Sequence, residues 1–167
     1  TLDSIQQAGL VLDAVQMRQA LALYYRAGAY AQCEVLLQRL LELQPDEPQH
    51  WHLLASVYLQ QNKKKQALDQ LSLARDKRVP FSERELLLLA NLQAVNNNPY
   101  GAALTLENAL SQHEVSADGA NYRKLFEFWL QAREQDRARA ALQHAAELGG
   151  DTEVYLYLAQ LQMEQQD

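Results

Sequence analysis

Cysteine is almost missing. Cys33 is the single one in 167 residues, which excludes an intramolecular disulfide framework. A lone small thiol within an apolar pattern reads as a packing residue, and it fits a reducing or an oxidising compartment equally. Positive charge is short as well. Lysine and arginine number 15 against 21 acidic residues, a formal net charge of −6, whereas a nucleic-acid binder normally carries a basic stripe to neutralise phosphates. No apolar run approaches the roughly 20 residues that span a bilayer, and the richest, residues 86–90, is far too short. No stretch keeps the period-two alternation of a strand. A nucleophile elbow, a phosphate-cradling glycine loop and a metalloprotease helix motif are all absent. Carboxylates such as Glu127 and Glu134 are scattered through polar surface and license no acid–base pair. These absences point away from catalysis and from any cofactor.

What is present is ordinary for a folded protein: 48% of residues are hydrophobic and 22% charged. The chain opens in mid-pattern at Thr1-Leu2-Asp3, without Met or a targeting segment, and reads as an excerpt of a longer protein.

The strongest positive feature is a repeat. Small residues recur at Cys33, Ala67, Ala102 and Ala138, spaced 34, 35 and 36 residues apart. Each is followed four residues later by a leucine (Leu37, Leu71, Leu106, Leu142), and three further on by Leu40, Ala74, Ala109 or Ala145. A period in the mid-thirties with a preserved internal pattern marks a stacked helical solenoid. Turn signals fall at Gly28, Gln44-Pro45-Asp46, Asn62, Val79-Pro80, Asn96 to Pro99, Asp118-Gly119, Glu134 and Gly149-Gly150-Asp151. Between them lie segments of about 13 residues with apolar positions at helical spacing, such as Trp51, Leu54, Ala55 and Tyr58. Ser82 and Glu85 have the spacing of a capping box, Asn98-Pro99 that of an N-cap before a first-turn proline, and Asp118 and Asp151 suit the next two helix starts. The growth of the period from 34 to 36 places extra residues in the later turns.

The second unit, Trp51-x2-Leu54-Ala55-x2-Tyr58 then Ala67-x3-Leu71-x2-Ala74, closely resembles the tetratricopeptide repeat. The first matches through Tyr24, Gly28, Tyr30, Leu37 and Pro45, the third through Leu89-Ala90 and Ala102 to Ala109, and the fourth through Tyr122, Leu125, Ala138 and Ala145. This resemblance implies an all-α fold, a right-handed α–α superhelix of about four helical hairpins: repeats at 14–47, 48–82, 83–118 and 119–151. A leading segment, 1–13, precedes them, and a half repeat, 152–167, follows with Tyr155, Leu158 and Ala159 in phase.

It further implies a partner-binding groove lined by the first helix of each hairpin. Carried onto this chain, the ligand-facing positions include Arg18, Ala22, Tyr25 and Arg26, then Gln49, His52, Ser56, Leu59 and Gln60. The third and fourth repeats add Arg84, Leu87, Asn91 and Ala94, then Arg123, Glu127, Leu130 and Gln131. Four arginines on one face of an acidic protein suit an acidic or C-terminal peptide, because guanidinium grips carboxylates in bidentate fashion. The same arginines also read as ordinary solvated side chains. The carboxylate clamp of chaperone-binding relatives is disfavoured, since Ala22 stands where that clamp needs asparagine. His50 and His52 flank Trp51 and point to different faces, and His113 and His144 are isolated, so no metal site is expected. Lys63-Lys64-Lys65 reads as a solvated helix start.

A narrower likeness rests on Leu89-Ala90-Asn91-Leu92 with Pro99 to Ala103, on Trp129 to Glu134 and on Glu153 to Gln160. These segments are similar to bacterial tetratricopeptide proteins associated with TonB energy-transduction systems. That likeness implies a periplasmic accessory of a TonB–ExbB–ExbD complex in a Gram-negative bacterium, serving iron or siderophore uptake. The alternative is a structural module that self-associates as a homo-oligomer through apolar surface left at Leu156, Leu158 and Leu161.

Overall fold

A computed structural model describes residues 12–149 and 154–158 of the protein, and all regular structure among them is helical. Eight helices follow one another: α1 (Ala14–Arg26), α2 (Tyr30–Leu43), α3 (Pro48–Gln60), α4 (Lys64–Asp76), α5 (Glu83–Val95), α6 (Pro99–Ser111), α7 (Gly119–Gln131) and α8 (Gln135–Glu147). Residues 154–158 are helical as well. Seven of the eight helices have 13 residues and α2 has 14. The fold is all-α and built of helical hairpins, in the manner of an α–α solenoid. The chain divides into two compact units, Thr1–Pro80 and Phe81–Asp167. In the first, α1 packs on α2, α2 on α3 and α3 on α4; in the second, α5 packs on α6, α6 on α7 and α7 on α8.

Helix starts follow local chemistry. The carboxylate of Asp13 accepts from the Gln16 amide at 2.8 Å, and Gln16 returns a bond to the Asp13 amide. The expected capping box at Ser82 forms, with the Glu85 carboxylate accepting from the Ser82 N–H and Oγ–H, each at 2.7 Å. Asn98 accepts from Gly101 N–H at 2.9 Å and Asp118 from Asn121 N–H at 2.8 Å. Asp151 lies outside the described residues.

Helix ends are more uniform than the sequence suggests. Two residues past α1 and α3 to α8 stands a left-handed residue: Gly28, Asn62, Arg78, Asn97, His113, Arg133 and Gly149, with φ between 57° and 92°. Six of these ends carry both bonds of the Schellman motif, as in Lys63 N–H to Tyr58 carbonyl at 2.8 Å with Asn62 N–H to Leu59 carbonyl at 2.9 Å. Only α2 departs from this pattern. Its corresponding residue is Pro45, whose ring forbids positive φ, so the chain leaves in an extended turn with Gln44 at φ −137°.

The small-residue slots sit where two antiparallel helices meet. Cys33, Ala67, Ala102 and Ala138 are buried, as are the leucines four residues on and the Leu40, Ala74, Ala109 and Ala145 that follow. Only a small side chain lets the helix axes close up, and the bulky Trp51, Leu54, Leu86, Leu125, Phe128 and Trp129 fill the space around them. Cys33 is wholly buried, with Sγ 4.0 Å from the Leu21 carbonyl, and burial pushes its thiol pKa up, away from reactivity.

Second helices begin at Tyr30, Lys64, Pro99 and Gln135, which repeats the growing period. Turns within hairpins all have three residues, so the growth lies in the connections between them. These lengthen from 44–47 to 77–82 to 112–118.

Candidate partner-binding face

On each first helix the expected residues share one side, because positions three, four, seven and eight apart are stacked along a helix. In α1, Arg18, Ala22 and Arg26 are exposed and Tyr25 half-buried, while Met17 and Leu21 are buried on the other side. In α3, His52, Ser56 and Leu59 are half-buried, with Gln49 and Gln60 exposed.

Their partners differ. Arg18 Nη1 donates to Gln44 Oε1 at 2.9 Å, so this guanidinium is drawn toward the end of α2. Tyr25 meets Tyr30 edge to face, with centroids 5.7 Å apart at 78°. His52 Nε2 lies 2.9 Å from the Pro80 carbonyl oxygen, a contact that needs the proton on that nitrogen. Arg26 is exposed and makes no ion pair or side-chain hydrogen bond among the described residues.

His50 has the opposite fate from His52. It is 4% exposed, and its Nδ1 has no hydrogen-bond partner among the described residues. Burial depresses its pKa; the Glu47 carboxylate and the Gln44 backbone oppose this, and the Arg18 charge adds to it. The neighbouring lysine run is also divided. Lys63 bonds Glu34 at 2.8 Å and lies 5.8 Å from the Tyr58 ring centre, while Lys64 and Lys65 are exposed at the start of α4.

The second unit repeats the arrangement. Arg84 on α5 is exposed without an ion pair or side-chain hydrogen bond among the described residues, and Leu87, Asn91 and Ala94 are half-buried. On α7 Arg123 and Glu127, both expected to face a partner, also face each other, Nε to Oε1 3.7 Å. An exposed pair one turn apart holds the two side chains only weakly. Leu130 is 40% exposed.

The two first helices of this unit are tied by Asn121, a buried polar residue. Its Nδ2 donates to Glu83 Oε1 at 3.3 Å and to the Ser116 carbonyl at 2.9 Å, while Ser116 Oγ donates to Glu83 Oε2 at 2.9 Å. Of the four arginines, then, two are held internally and two, Arg26 and Arg84, stand open.

Sequence reasoning missed Val95, which is 64% exposed one turn beyond Asn91 on the same side. The signal was present: an apolar residue in helical phase with Arg84 and Asn91, next to the Asn96 that ends the helix. Asn121 and Glu83 were also missed, and no local pattern marks them, since 38 residues separate them.

No family model matches the chain, and no curated protein matches it in sequence. Solved structures do resemble it. MamA residues 41-end from Desulfovibrio magneticus RS-1 superposes with a TM-score of 0.65 at 14% identity, covering 90% of this chain and 84% of that one. A structure of MamA AMB-1 gives 0.66 at 21% identity, covering 87% and 79%. YrrB, described as a TPR protein with an unusual peptide-binding site, gives 0.63 at 16% identity, covering 89% and 74%. At these identities the likeness supports the tetratricopeptide-type fold.

Proposed function

We propose that the protein is a non-catalytic interaction scaffold whose first helices hold an acidic or C-terminal peptide segment. The observation that carries this reading is the pair of open guanidiniums, Arg26 in one unit and Arg84 in the other, on a chain of net charge −6. An exposed arginine without an internal partner is ready for bidentate contact with a carboxylate. On the same side of α5 as Arg84 lie the half-buried Leu87 and, three turns on at the helix end, the exposed Val95, and such a mixed face suits a segment in which acidic and apolar residues alternate. The description of YrrB as peptide-binding is consistent with this use of the fold.

Fluorescence anisotropy with labelled acidic peptides tests it directly. Binding should weaken with added salt, and Arg26→Ala or Arg84→Ala should each cost about tenfold in affinity, the worth of one charge-assisted hydrogen bond. Unchanged affinity in both variants would overturn it.

The finer reading is a periplasmic accessory of a TonB–ExbB–ExbD complex, supported by the segments around Asn91, Tyr100, Trp129 and Tyr155. Pull-down with the periplasmic domains of that complex is the test, and the absence of binding by well-folded protein would remove the reading. A second function is favoured by a separate observation. Tyr155, Leu156 and Tyr157 are 54%, 65% and 45% exposed, although Leu158 is half-buried against the core of its unit, and such a surface suits self-association. Leu161 lies outside the described residues. Light scattering over a concentration series separates this function from the first.

A further inference from the structure

The connection of residues 112–118 between α6 and α7 borders a cavity that belongs to neither face described above. It has a volume of about 440 Å³ and is bounded by α6, α7, α8 and that connection. Space of this size, mostly apolar and set between helices, is that of a ligand or side-chain pocket. Its floor is Leu110, Leu125 and Ala141, all buried. It is open at the rim because Ala117 and Ala140, both exposed, contribute no bulk there.

Two walls give the space its chemistry. One is aromatic: Tyr122 and His144 lie with ring centres 5.0 Å apart and planes inclined by 37°. The other carries a donor and an acceptor side by side. Arg137 Nη1 and Glu107 Oε2 are 3.6 Å apart, beyond a proper hydrogen bond, and each side chain is nearly half exposed. The guanidinium is held in place from behind, stacked 4.6 Å from the Trp129 ring centre. Because the pair is close to neutral as a whole, it does not select a charged ligand. A donor and an acceptor not fully spent on each other complement a peptide unit, whose C=O can accept from Arg137 while its N–H donates to Glu107.

We propose that this pocket binds one aromatic side chain of a partner peptide, with Arg137 and Glu107 holding the adjacent peptide unit. The ring lies against Tyr122 and His144, where offset or edge contacts between rings add to the burial of its area. This is a second site, distinct from the arginine-bearing faces of α1, α3, α5 and α7, and it stands whether or not an acidic segment binds there.

The test is an NMR titration of the whole chain with N-acetyl-phenylalaninamide. Signals of Ala140, Tyr122 and His144 should shift together with a Kd of about 1 mM, the strength available to so small a ligand. N-acetyl-alaninamide should bind at least about tenfold more weakly, because only the ring buries apolar area. Ala140→Trp, which fills the mouth from an exposed position, should abolish the shifts while the melting temperature stays within a few degrees. If that variant does not fold, Ala117→Trp makes the same test from the other side. Glu107→Leu with Arg137→Met, which removes both the acceptor and the donor, should weaken the phenylalanine amide several-fold yet leave toluene binding unchanged. Equal binding of the two amides, or unchanged titration in the filled variant, would overturn the proposal. So would the same shifts appearing with protein concentration alone, since the occupant would then be a second copy of the chain.

Discussion

Between α2 and α3 the chain turns in four residues, 44–47, and polar bonds fasten the hairpins on either side; between α6 and α7 it takes seven, 112–118, and aromatic ring contacts join the bonds of Asn121, Ser116 and Glu83. In the first unit Lys63 and Gln61 bond the Glu34 carboxylate at 2.8 and 3.0 Å, and Trp51 Nε1 donates to the Pro45 carbonyl at 2.8 Å. Partial burial would raise the pKa of Glu34, but the bonds from Lys63 and Gln61 and the Lys63 charge outweigh it and hold the carboxyl below its usual range. In the second unit Trp129 is fully buried, with Tyr100 edge-on at 5.3 Å and Arg137 stacked on its face, and its indole N–H has no hydrogen-bond partner among the described residues. Phe126 meets Tyr157 edge-on at 5.4 Å. The difference teaches that the small-residue slots set the hairpins, whereas the junctions between hairpins are free to change in length and chemistry. The longer junction is the one that borders the pocket.

The largest perturbation should strike the shared feature in both units alike. Ala67→Asp and Ala138→Asp each put extra volume and an unpaired charge into a buried slot, and each should cost more than about 4 kcal/mol, read as loss of the cooperative thermal transition. Parent-like melting of either would refute the slot. The two tryptophans then separate the junctions. Truncation to alanine should cost about 3–5 kcal/mol at Trp51 and at Trp129. Replacement by phenylalanine should cost about 1–2 kcal/mol more at Trp51, because only there is a hydrogen bond lost and the Pro45 carbonyl left without its donor. Chemical denaturation of the two variants measures the gap; an equal cost would mean that polar fastening of the first junction contributes nothing.

Asn121→Ala should lower stability by about 1–3 kcal/mol, since the Ser116 carbonyl and Glu83 lose their shared donor. A titration of the first unit comes next. The pKa of His50 is depressed in the folded protein, so the unfolded chain takes up its proton at higher pH. Its contribution to stability is therefore complete above the ordinary imidazole value of about 6.5 and is lost as pH falls through the lower folded value. Melting at pH 7.5 and pH 5 should show this loss, and His50→Leu should diminish it. The smallest effects belong to the helix ends. Arg78→Gly and Arg133→Gly relieve a left-handed backbone and should each stabilise by about 0.5 kcal/mol, net of the greater freedom glycine gives the unfolded chain. A Tm rise of about 1–2 °C in scanning calorimetry would register it.

Much of the fold was legible because it is local and periodic. The slots at Cys33, Ala67, Ala102 and Ala138, the caps at Ser82, Asn98 and Asp118, and the drift from 34 to 36 residues all needed only spacing. Gly28, Asn62 and the run Asn96 to Pro99 signalled turns by residue type. Arg78, His113 and Arg133 did not, because there the backbone is imposed by the bonds of the helix end rather than chosen by the side chain. The candidate face was legible as positions but not as states. That Arg18 reaches Gln44, 26 residues away, and that Arg123 faces Glu127 while Arg26 and Arg84 stand open, depends on rotamers that spacing cannot supply. The pocket was invisible for a similar reason, since Glu107, Tyr122 and Arg137 meet only after three helices have packed.

The proposed scaffold holds an acidic segment through the open arginines of its first helices, Arg26 and Arg84, and not through exposed arginines of its second helices. The most direct measurement follows the arginine Nε–H signals by NMR during titration with an acidic peptide that ends in a free carboxylate. The account predicts that Arg26 and Arg84 shift while the exposed Arg39 on α2 does not. Shifts at Arg39 equal to those at Arg26 and Arg84, or saturation binding that moves neither of the two, would contradict it.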